Sequence, residues 1–232
     1  MLKPFLQCSV LFLLGASHWL AAAEPAEKAI VWNVDNLAAI GGHKVTVVGK
    51  PRVVETERGK AVEFDGKADA LFVAANPLAG LKEFTAEVVF RPAAGGPKEQ
   101  RFLHFQPNGT EDRLLFETRL PVPGTPDIKP GDGQWFLDTY VQTDAGKQTL
   151  FAKDSLHPCD RWFAAAVTVD GKTMRHFVDG QEELSAELKF APFAGGQTSI
   201  GVRFNQVHWF QGAIRQIRIT PAVLKPDQLL KP

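Results

Sequence analysis

The segment that most constrains the fold of this chain runs from Trp162 to Leu188. It contains three runs rich in apolar residues, separated by Asp170-Gly171 and Asp179-Gly180. An Asp-Gly pair favours a two-residue type I′ turn, because both central residues need a positive φ that glycine adopts freely and aspartate more readily than most residues. The segment therefore predicts a three-stranded antiparallel meander with two tight turns.

Seven other segments have the composition of β-strands, since most are rich in β-branched or aromatic residues and are bounded by Gly, Pro or Asn. They are Ala61 to Val73, Phe84 to Arg91, Arg101 to Phe105, Arg113 to Leu120, Trp135 to Gln142, Thr198 to Phe204 and Trp209 to Thr220. Helical signal is limited to a short turn at Leu78 to Leu81 and another after Pro226. So many strands with almost no helix predict an all-β sandwich or barrel.

The first 23 residues have the pattern of a signal peptide. Lys3 precedes an apolar run from Val10 to Leu14, and the small residues Ala21 to Ala23 follow. This run is too short for a membrane-spanning helix, which needs about 20 apolar residues, and the alanines are typical of a cleavage site. We therefore expect a secreted or periplasmic protein that begins at Glu24, forms one domain to Pro232 and does not insert stably into a membrane.

The composition supports a large core and gives no sign of a charged partner. Hydrophobic residues make up 44% of the chain, with 17 Phe and 5 Trp, and a domain of this size buries about 70% of the surface of its unfolded chain. Lys plus Arg and Asp plus Glu each number 26, so no basic excess favours nucleic acid. Removal of Cys8 with the leader would leave Cys159 without a partner for an internal disulfide.

Six stretches share a pattern of apolar strand positions and glycine turns. They are Gly59 to Gly66, Phe84 to Pro92, Trp162 to Gly171, Phe177 to Gly180, Phe210 to Ile219 and Leu224 to Leu229. In this order they resemble the laminin-G-like jelly-roll domains of the concanavalin A-like lectin/glucanase superfamily. The resemblance implies a two-sheet antiparallel jelly-roll sandwich over residues 24–232. Because the shared positions are structural, function has to be sought in residues that the fold does not need.

Candidate binding residues lie on two predicted strands that flank the Pro- and Gly-rich loop from Pro121 to Gly133. Side chains alternate between the two faces of a strand. The residues expected to share a polar face are Arg113, Glu117 and Arg119 on the first strand, and Asp138 and Tyr140 on the second. Guanidinium and carboxylate groups hydrogen-bond polar ligands, and an aromatic ring stacks on a pyranose. These faces predict a glycan-binding groove closed on one side by the loop, with Trp209 at its rim.

Other interpretations remain open from the sequence, although it favours a binding module over an enzyme. A solvated sheet face needs polar residues in any case. A polysaccharide lyase could use Tyr140 to remove a proton beside a uronate that an arginine neutralises. A glycoside hydrolase would need an unfamiliar site, because Glu55 and Glu57 have the spacing of the laminarinase-like Glu-x-Asp-x-x-Glu strand but Lys60 replaces its last carboxylate. A protein-protein adhesion domain would show an exposed apolar patch.

The spacing of the potential metal ligands predicts no zinc site. The four histidines considered are widely separated in sequence: His104, His157, His176 and His208. We expect His104 to be a hydrogen-bonded sheet residue. Calcium is the one alternative, because related domains often hold it at a sandwich rim and Asp65 and Asp69 flank such a turn. Two further groups are expected to have no chemical role: Glu182, Glu183 and Glu187 on a solvated strand, and the Cys159 loop thiol beside His157.

Overall fold

The structure is a computed structural model that describes residues 28–121 and 133–232. These residues form two antiparallel sheets, and the predicted all-β sandwich is confirmed. Within them there is no α-helix, and one 3-10 turn at Pro226–Gln228 matches the turn expected after Pro226. None of their helical segments is long and apolar enough to cross a membrane. The predicted signal peptide, and nearly all of the loop from Pro121 to Gly133, lie outside the described residues.

The first sheet has eight strands. In spatial order they are β15 (Gln181–Glu187), β14 (Thr173–Val178), β13 (Phe163–Val169), β7 (Phe84–Pro92), β17 (Gln211–Thr220), β5 (Gly59–Asp65) and β4 (Arg52–Thr56), with β1 (Ile30–Asn33) also paired to β17. The second sheet has nine strands. Their order is β11 (Gly146–Phe151), β10 (Gln134–Thr143), β9 (Arg113–Arg119), β8 (Glu99–Pro107), β16 (Gly196–Ile200), β6 (Ala70–Val73), β3 (His43–Val48) and β2 (Ala39–Ile40), with β12 (His157–Pro158) also paired to β10.

The predicted meander is confirmed as β13, β14 and β15, but only one of its two turns has the predicted form. Asp179 and Gly180 have φ of 51° and 80°, as a type I′ turn requires. Asp170 does not adopt positive φ, so the prediction of a two-residue turn there is wrong. Its carboxylate accepts the backbone N–H groups of Lys172 and Thr173, and this side-chain turn extends the loop to three residues.

The chain changes sheets where the sequence predicted one long strand. Ala61 to Val73 is divided into β5 in the first sheet and β6 in the second, so the single-strand prediction is wrong. The break follows Asp65, whose Oδ1 accepts the backbone N–H groups of Lys67, Ala68 and Asp69. These bonds take amides away from a β-ladder and turn the chain towards the other sheet.

The inner faces of the two sheets enclose an aromatic core. Phe90 of the first sheet stacks on Phe102 of the second, with ring centroids 4.4 Å apart. Trp135 meets the edge of Phe90 at 5.2 Å and Phe163 at 5.0 Å. All four side chains are buried, and offset or edge-to-face pairs of this kind stabilise a core beyond the area that they bury.

The outer face of the first sheet is covered by the C-terminal segment that follows β17. Trp162 is buried there with Val89 and Leu230, and Leu229 packs on Phe177. The Trp162 ring is 5% exposed and lies under the tail, not between the sheets. Leu230 also donates its backbone N–H to Glu87 at 2.7 Å, so the tail is attached to this sheet by polar as well as apolar contacts.

Candidate ligand-binding face

The outer face of the second sheet carries five of the six residues that the sequence selected. Strand alternation places Arg113, Glu117 and Arg119 of β9 on this face, as expected. The register sets Glu117 directly opposite Asp138 of β10, while Tyr140 lies opposite the next outward residue of β9. The sheet therefore brings two acidic side chains side by side.

Arg119 joins three carboxylates from three strands. Its Nε donates to Asp138 Oδ2 at 2.9 Å, its Nη1 lies 2.8 Å from Glu99 Oε1, and its Nη2 lies 3.4 Å from Glu117 Oε2. All three guanidinium nitrogens are thus engaged within the protein. Glu99, on β8, is a member of this site that the sequence did not single out.

Arg101 of β8 supplies the second guanidinium. Its Nε lies 3.1 Å from Glu117 Oε1 and its Nη1 lies 3.7 Å from Glu99 Oε2, although neither nitrogen has hydrogen-bond geometry. A β-bulge between Arg101 and Leu103 sets this part of β8. We call the five residues Glu99, Arg101, Glu117, Arg119 and Asp138 the charged band. It holds three carboxylates and two guanidiniums.

The two central carboxylates of the charged band are almost fully buried. Glu117 is 3% exposed and Asp138 is 2% exposed. Burial, together with the neighbouring Asp138 carboxylate, raises the pKa of Glu117 to about 7, while Arg101 and Arg119 act in the opposite direction. Burial also raises the pKa of Asp138. Near neutral pH, Glu117 can therefore either donate or accept a hydrogen bond.

Replacing Glu117 with glutamine should remove a pH dependence of stability. The pKa of Glu117 rises from an ordinary value of 4.5 to about 7 on folding, so the folded chain binds more protons between these values. This contribution to stability is fully present below pH 4.5 and is lost as the pH rises through 7. In urea unfolding, the stability of wild type relative to Glu117→Gln should fall as the pH rises from about 5 to about 8. A constant or rising difference would contradict this account.

An open pocket of about 350 Å³ lies at one end of the charged band. It is lined by Gly66, Pro97, Lys98, Glu99, His208 and Trp209. His208 has a φ of 62°, a left-handed conformation that costs free energy in a residue other than glycine. Its carbonyl accepts the Arg101 backbone N–H at 2.8 Å, and its Nδ1 lies 3.6 Å from Glu99 Oε2. Trp209, predicted at a rim, is half-buried beside it.

The other end of the face holds a separate pair. The Arg113 guanidinium lies over the Tyr140 ring, 4.8 Å from its centroid, and so occupies one face of that ring. The Tyr140 hydroxyl donates to Gln142 at 2.6 Å. Arg113 and Arg119 are six residues apart on one strand, which corresponds to about 20 Å. The five predicted residues on this face therefore form two groups, and Trp209 lies at the pocket beyond one of them.

Comparison with models of protein families identifies the family of this chain. The model of Laminin_G_3, described as the Concanavalin A-like lectin/glucanases superfamily, matches residues 65–230. The chain belongs to this family. The resemblance inferred from the strand and turn motifs is thereby confirmed. A search of the curated proteins finds none that matches the sequence.

Solved structures with the same fold include carbohydrate complexes. Domain 4 of AbnA, a GH43 extracellular arabinanase from Geobacillus stearothermophilus in complex with arabinotriose, has a TM-score of 0.62 and 16% identity over 88% of this chain and 97% of that domain. The binding domain of botulinum neurotoxin DC in complex with SialylT has a TM-score of 0.58 and 10% identity over 86% of this chain. The binding domain of Paraclostridial Mosquitocidal Protein 1 has a TM-score of 0.60 and 12% identity, again over 86%. This chain spans about half of each of the last two.

At the turn considered for calcium, the two aspartates accept hydrogen bonds from the backbone. Asp65 Oδ1 faces three backbone N–H groups, which lower the pKa of its carboxyl against the effect of burial. Asp69 Oδ1 accepts the Lys50 N–H at 2.6 Å. One oxygen of each carboxylate is therefore used to hold the backbone of the turn. In the ranges 28–121 and 133–232, no group of three His, Cys, Asp or Glu side chains has the arrangement to hold a metal.

The sequence did not predict one polar cluster inside the sandwich, because the cluster depends on a bulge in β15. Glu183 is the extra residue of the irregularity in β15, and its side chain is 6% exposed, so its predicted place on a solvated strand is wrong. It contacts His157 at 2.6 Å and His176 at 3.8 Å, and His176 Nδ1 lies 2.9 Å from Thr139 Oγ1. Burial lowers the pKa of His176 to about 3, so this imidazole is neutral.

The two other residues that the sequence singled out, His104 and Cys159, are buried in the fold. His104 is buried and its Nδ1 accepts the backbone N–H of Phe204 at 3.2 Å, which confirms the expected sheet histidine. Cys159 is a free, buried thiol. Burial and then Asp160 raise the pKa of this thiol to about 11, so it is a poor nucleophile at neutral pH.

Proposed function

We propose that this protein is an exported glycan-binding module whose ligand lies across the charged band. The observation that carries the proposal is the alignment of that band across adjacent strands, with an aromatic side chain at each side. Phe151 of β11 is directly opposite Asp138, and Trp209 borders the pocket beyond Glu99. With strands about 4.8 Å apart, the row from β11 to β8 spans about 14 Å.

The aromatic side chains supply stacking surfaces for sugar rings. Phe151 is 37% exposed, with the Arg119 guanidinium 5.5 Å from its ring centroid on one side. Trp209 is half-buried. In the described part of the chain, no aromatic ring or guanidinium stacks on Trp209. An indole with an open face can meet the C–H face of a pyranose while its N–H finds a polar partner.

The charged band lies between the two aromatic side chains and offers donors and acceptors that can hydrogen-bond a ligand. Glu99 is the carboxylate most open to solvent, and Arg119 is the more exposed guanidinium. Glu117 and Asp138 lie beneath and hold Arg119 in position. Arg113 and Tyr140 extend the face for a longer ligand. The proposed ligand-binding residues are thus Arg113, Glu117, Arg119, Asp138, Tyr140 and Trp209, to which Glu99 and Phe151 are added.

Two solved structures with this fold hold a ligand named in their description. The arabinanase domain was solved with arabinotriose, and one toxin binding domain was solved with SialylT. At 16% and 10% identity these relationships show the fold alone. The assignment of a glycan to this chain therefore rests on the aromatic side chains and the charged band.

Truncating either aromatic side chain should weaken glycan binding by about tenfold or more, because an aromatic side chain that anchors a ligand often contributes about 2 kcal/mol or more to binding. Wild type would be screened on a glycan array, and its best oligosaccharide titrated into Trp209→Ala and Phe151→Ala. Val53→Ala removes a side chain of similar exposure (40%) from the other sheet and should bind as wild type does. Unchanged affinity in both aromatic variants would place the ligand elsewhere.

Catalysis is the second candidate because the two opposing carboxylates Glu117 and Asp138 both have raised pKa values. The same polysaccharides would be incubated with wild type and assayed for new reducing ends and unsaturated ends. Binding without product supports a module. Product that disappears in Tyr140→Phe would identify a lyase, and product that disappears in Glu117→Gln would identify a hydrolase.

Export is proposed from the leader pattern in the first 23 residues. The apolar run from Val10 to Leu14 and the alanines before Glu24 support cleavage after Ala23. Intact mass of the protein recovered outside the cytoplasm should correspond to a chain that begins at Glu24. A retained leader, or an acyl group on Cys8, would contradict both the cleavage site and the proposed location.

A further inference from the structure

We infer that this site selects uncharged glycans over acidic ones, and that Glu99 sets the preference. The inference rests on the proposed glycan-binding function and defines its ligand class. Acidic sugars carry carboxylate or sulfate groups, which proteins bind best with free guanidinium donors in paired geometry. The question is therefore whether the charged band offers such donors.

The guanidiniums of the charged band already face protein carboxylates. Arg119 uses its three nitrogens on Asp138, Glu99 and Glu117. Arg101 lies between Glu117 and Glu99, and its side chain is only 11% exposed. An acidic ligand would have to displace a protein carboxylate from one of them. Carboxylates outnumber guanidiniums by three to two, so the band has no positive excess that would attract a further anion.

The pocket beside the band favours an uncharged sugar for a second reason. Glu99 is 32% exposed at its side chain and lines the pocket with Trp209 and His208. A sugar hydroxyl can donate to this carboxylate while the ring stacks on the indole. A carboxylate at the same place would lie beside a like charge. Lys98, also in the pocket, offsets the charge of Glu99 but leaves no positive excess.

Arg203 is the strongest competing anchor for an acidic ligand. It forms no ion pair within residues 28–121 and 133–232. Burial and then Arg101 lower the pKa of the His208 imidazole, and Arg203 is near enough to add to this effect. It lies outside both the charged band and the lining of the pocket. Recognition of an acidic glycan through Arg203 is therefore the alternative that the experiment has to separate.

The experiment uses matched pairs of oligosaccharides that differ in charge, namely glucan with glucuronan, galactan with galacturonan and mannan with mannuronan. Affinities are measured by calorimetry with the complete protein. In at least one pair, wild type should bind the neutral member about tenfold or more tightly than the acidic one, because like charges at an interface are strongly unfavourable. This binding should be nearly unchanged between about 0.1 M and about 1 M salt.

Glu99→Gln should reduce the preference at least about fivefold by strengthening acidic binding, since it removes the negative charge that lines the pocket and leaves Arg119 with one carboxylate fewer. Glu111→Gln is the control, because Glu111 pairs with Arg113 at the far end of the face and is 78% exposed. Tighter wild-type binding of the acidic members, above all if Arg203→Ala abolishes it, would overturn the inference and leave glycan binding intact. Equal selectivity in wild type and Glu99→Gln, with both folded by thermal melting, would remove Glu99 from its role. Failure of every pair to bind would overturn the proposed function as well.

Discussion

Replacing Arg218 with methionine should lower the free energy of unfolding by about 3 to 5 kcal/mol, because it leaves a buried charge without its partner. Glu87 is 1% exposed on the outer face of the first sheet. Arg218 forms a two-point contact with it through Nε and Nη2. The same guanidinium donates to the Gln228 carbonyl at 2.9 Å, and Glu87 accepts the Leu230 N–H. The variant should therefore also loosen the C-terminal segment.

This effect should be large because the pair is buried, and an exposed ion pair serves as the comparison. Arg52→Met is the matched control, because the Arg52–Glu63 pair is 75% and 33% exposed at its side chains. It should cost about 1 kcal/mol or less. Replacing Glu87 and Arg218 together with methionine should recover most of the lost stability, since a buried pair can be exchanged for apolar groups at little cost. Urea unfolding measures all four proteins. Equal effects of Arg218→Met and Arg52→Met would show that the pair is not buried in solution.

Trp162→Ala should destabilise the fold by about 3 to 5 kcal/mol, the usual cost of removing a large buried aromatic side chain. The ring is 5% exposed and packs with Val89 and Leu230, while the Arg91 guanidinium lies 5.2 Å from its centroid. Its removal would leave a cavity between the sheet and the tail. The measurement is again urea unfolding, with an unchanged dependence on denaturant as the sign of a comparable native state.

Trp209→Ala is the natural counterpart to this variant. Because Trp209 is half-buried at an open pocket, its loss should change stability much less than the loss of Trp162 while it weakens ligand binding. Trp162→Ala should show the reverse pattern. A nearly neutral Trp162→Ala would mean that its ring is exposed in solution and would move it from the structural residues to the binding residues.

The sequence predicted the fold well because alternation, turn residues and strand composition act locally. It predicted the shared outward face of Arg113, Glu117 and Arg119 for the same reason, since alternation along one strand requires no knowledge of neighbours. The Asp179-Gly180 turn was predictable from the φ values that its residues tolerate. At Asp170 the side chain competed for the same backbone amides, and a longer loop resulted.

The residues that the sequence did not predict come together only through the order and register of the strands. Glu99 and Arg101 reach Arg119 and Glu117 only because β8 pairs with β9 in a register that a bulge shifts. Phe151 ends β11, a strand that the sequence did not predict because Lys147, Gln148 and Thr149 give it little apolar character. Glu183 turns inward at another bulge. Bulges and strand order are set by long-range packing, and a pattern read along one strand does not contain them.

The central claim, that a glycan lies against Trp209 at the end of the charged band, is tested most directly by the indole N–H resonances of the tryptophans during a ligand titration. The resonance of Trp209 would be assigned from its absence in Trp209→Phe. As the best-binding neutral oligosaccharide saturates the protein, this resonance should shift in proportion to occupancy, while those of the buried Trp135 and Trp162 stay in place. Saturation without movement of the Trp209 resonance, or with movement at Trp162 under the C-terminal segment, would contradict the proposed site.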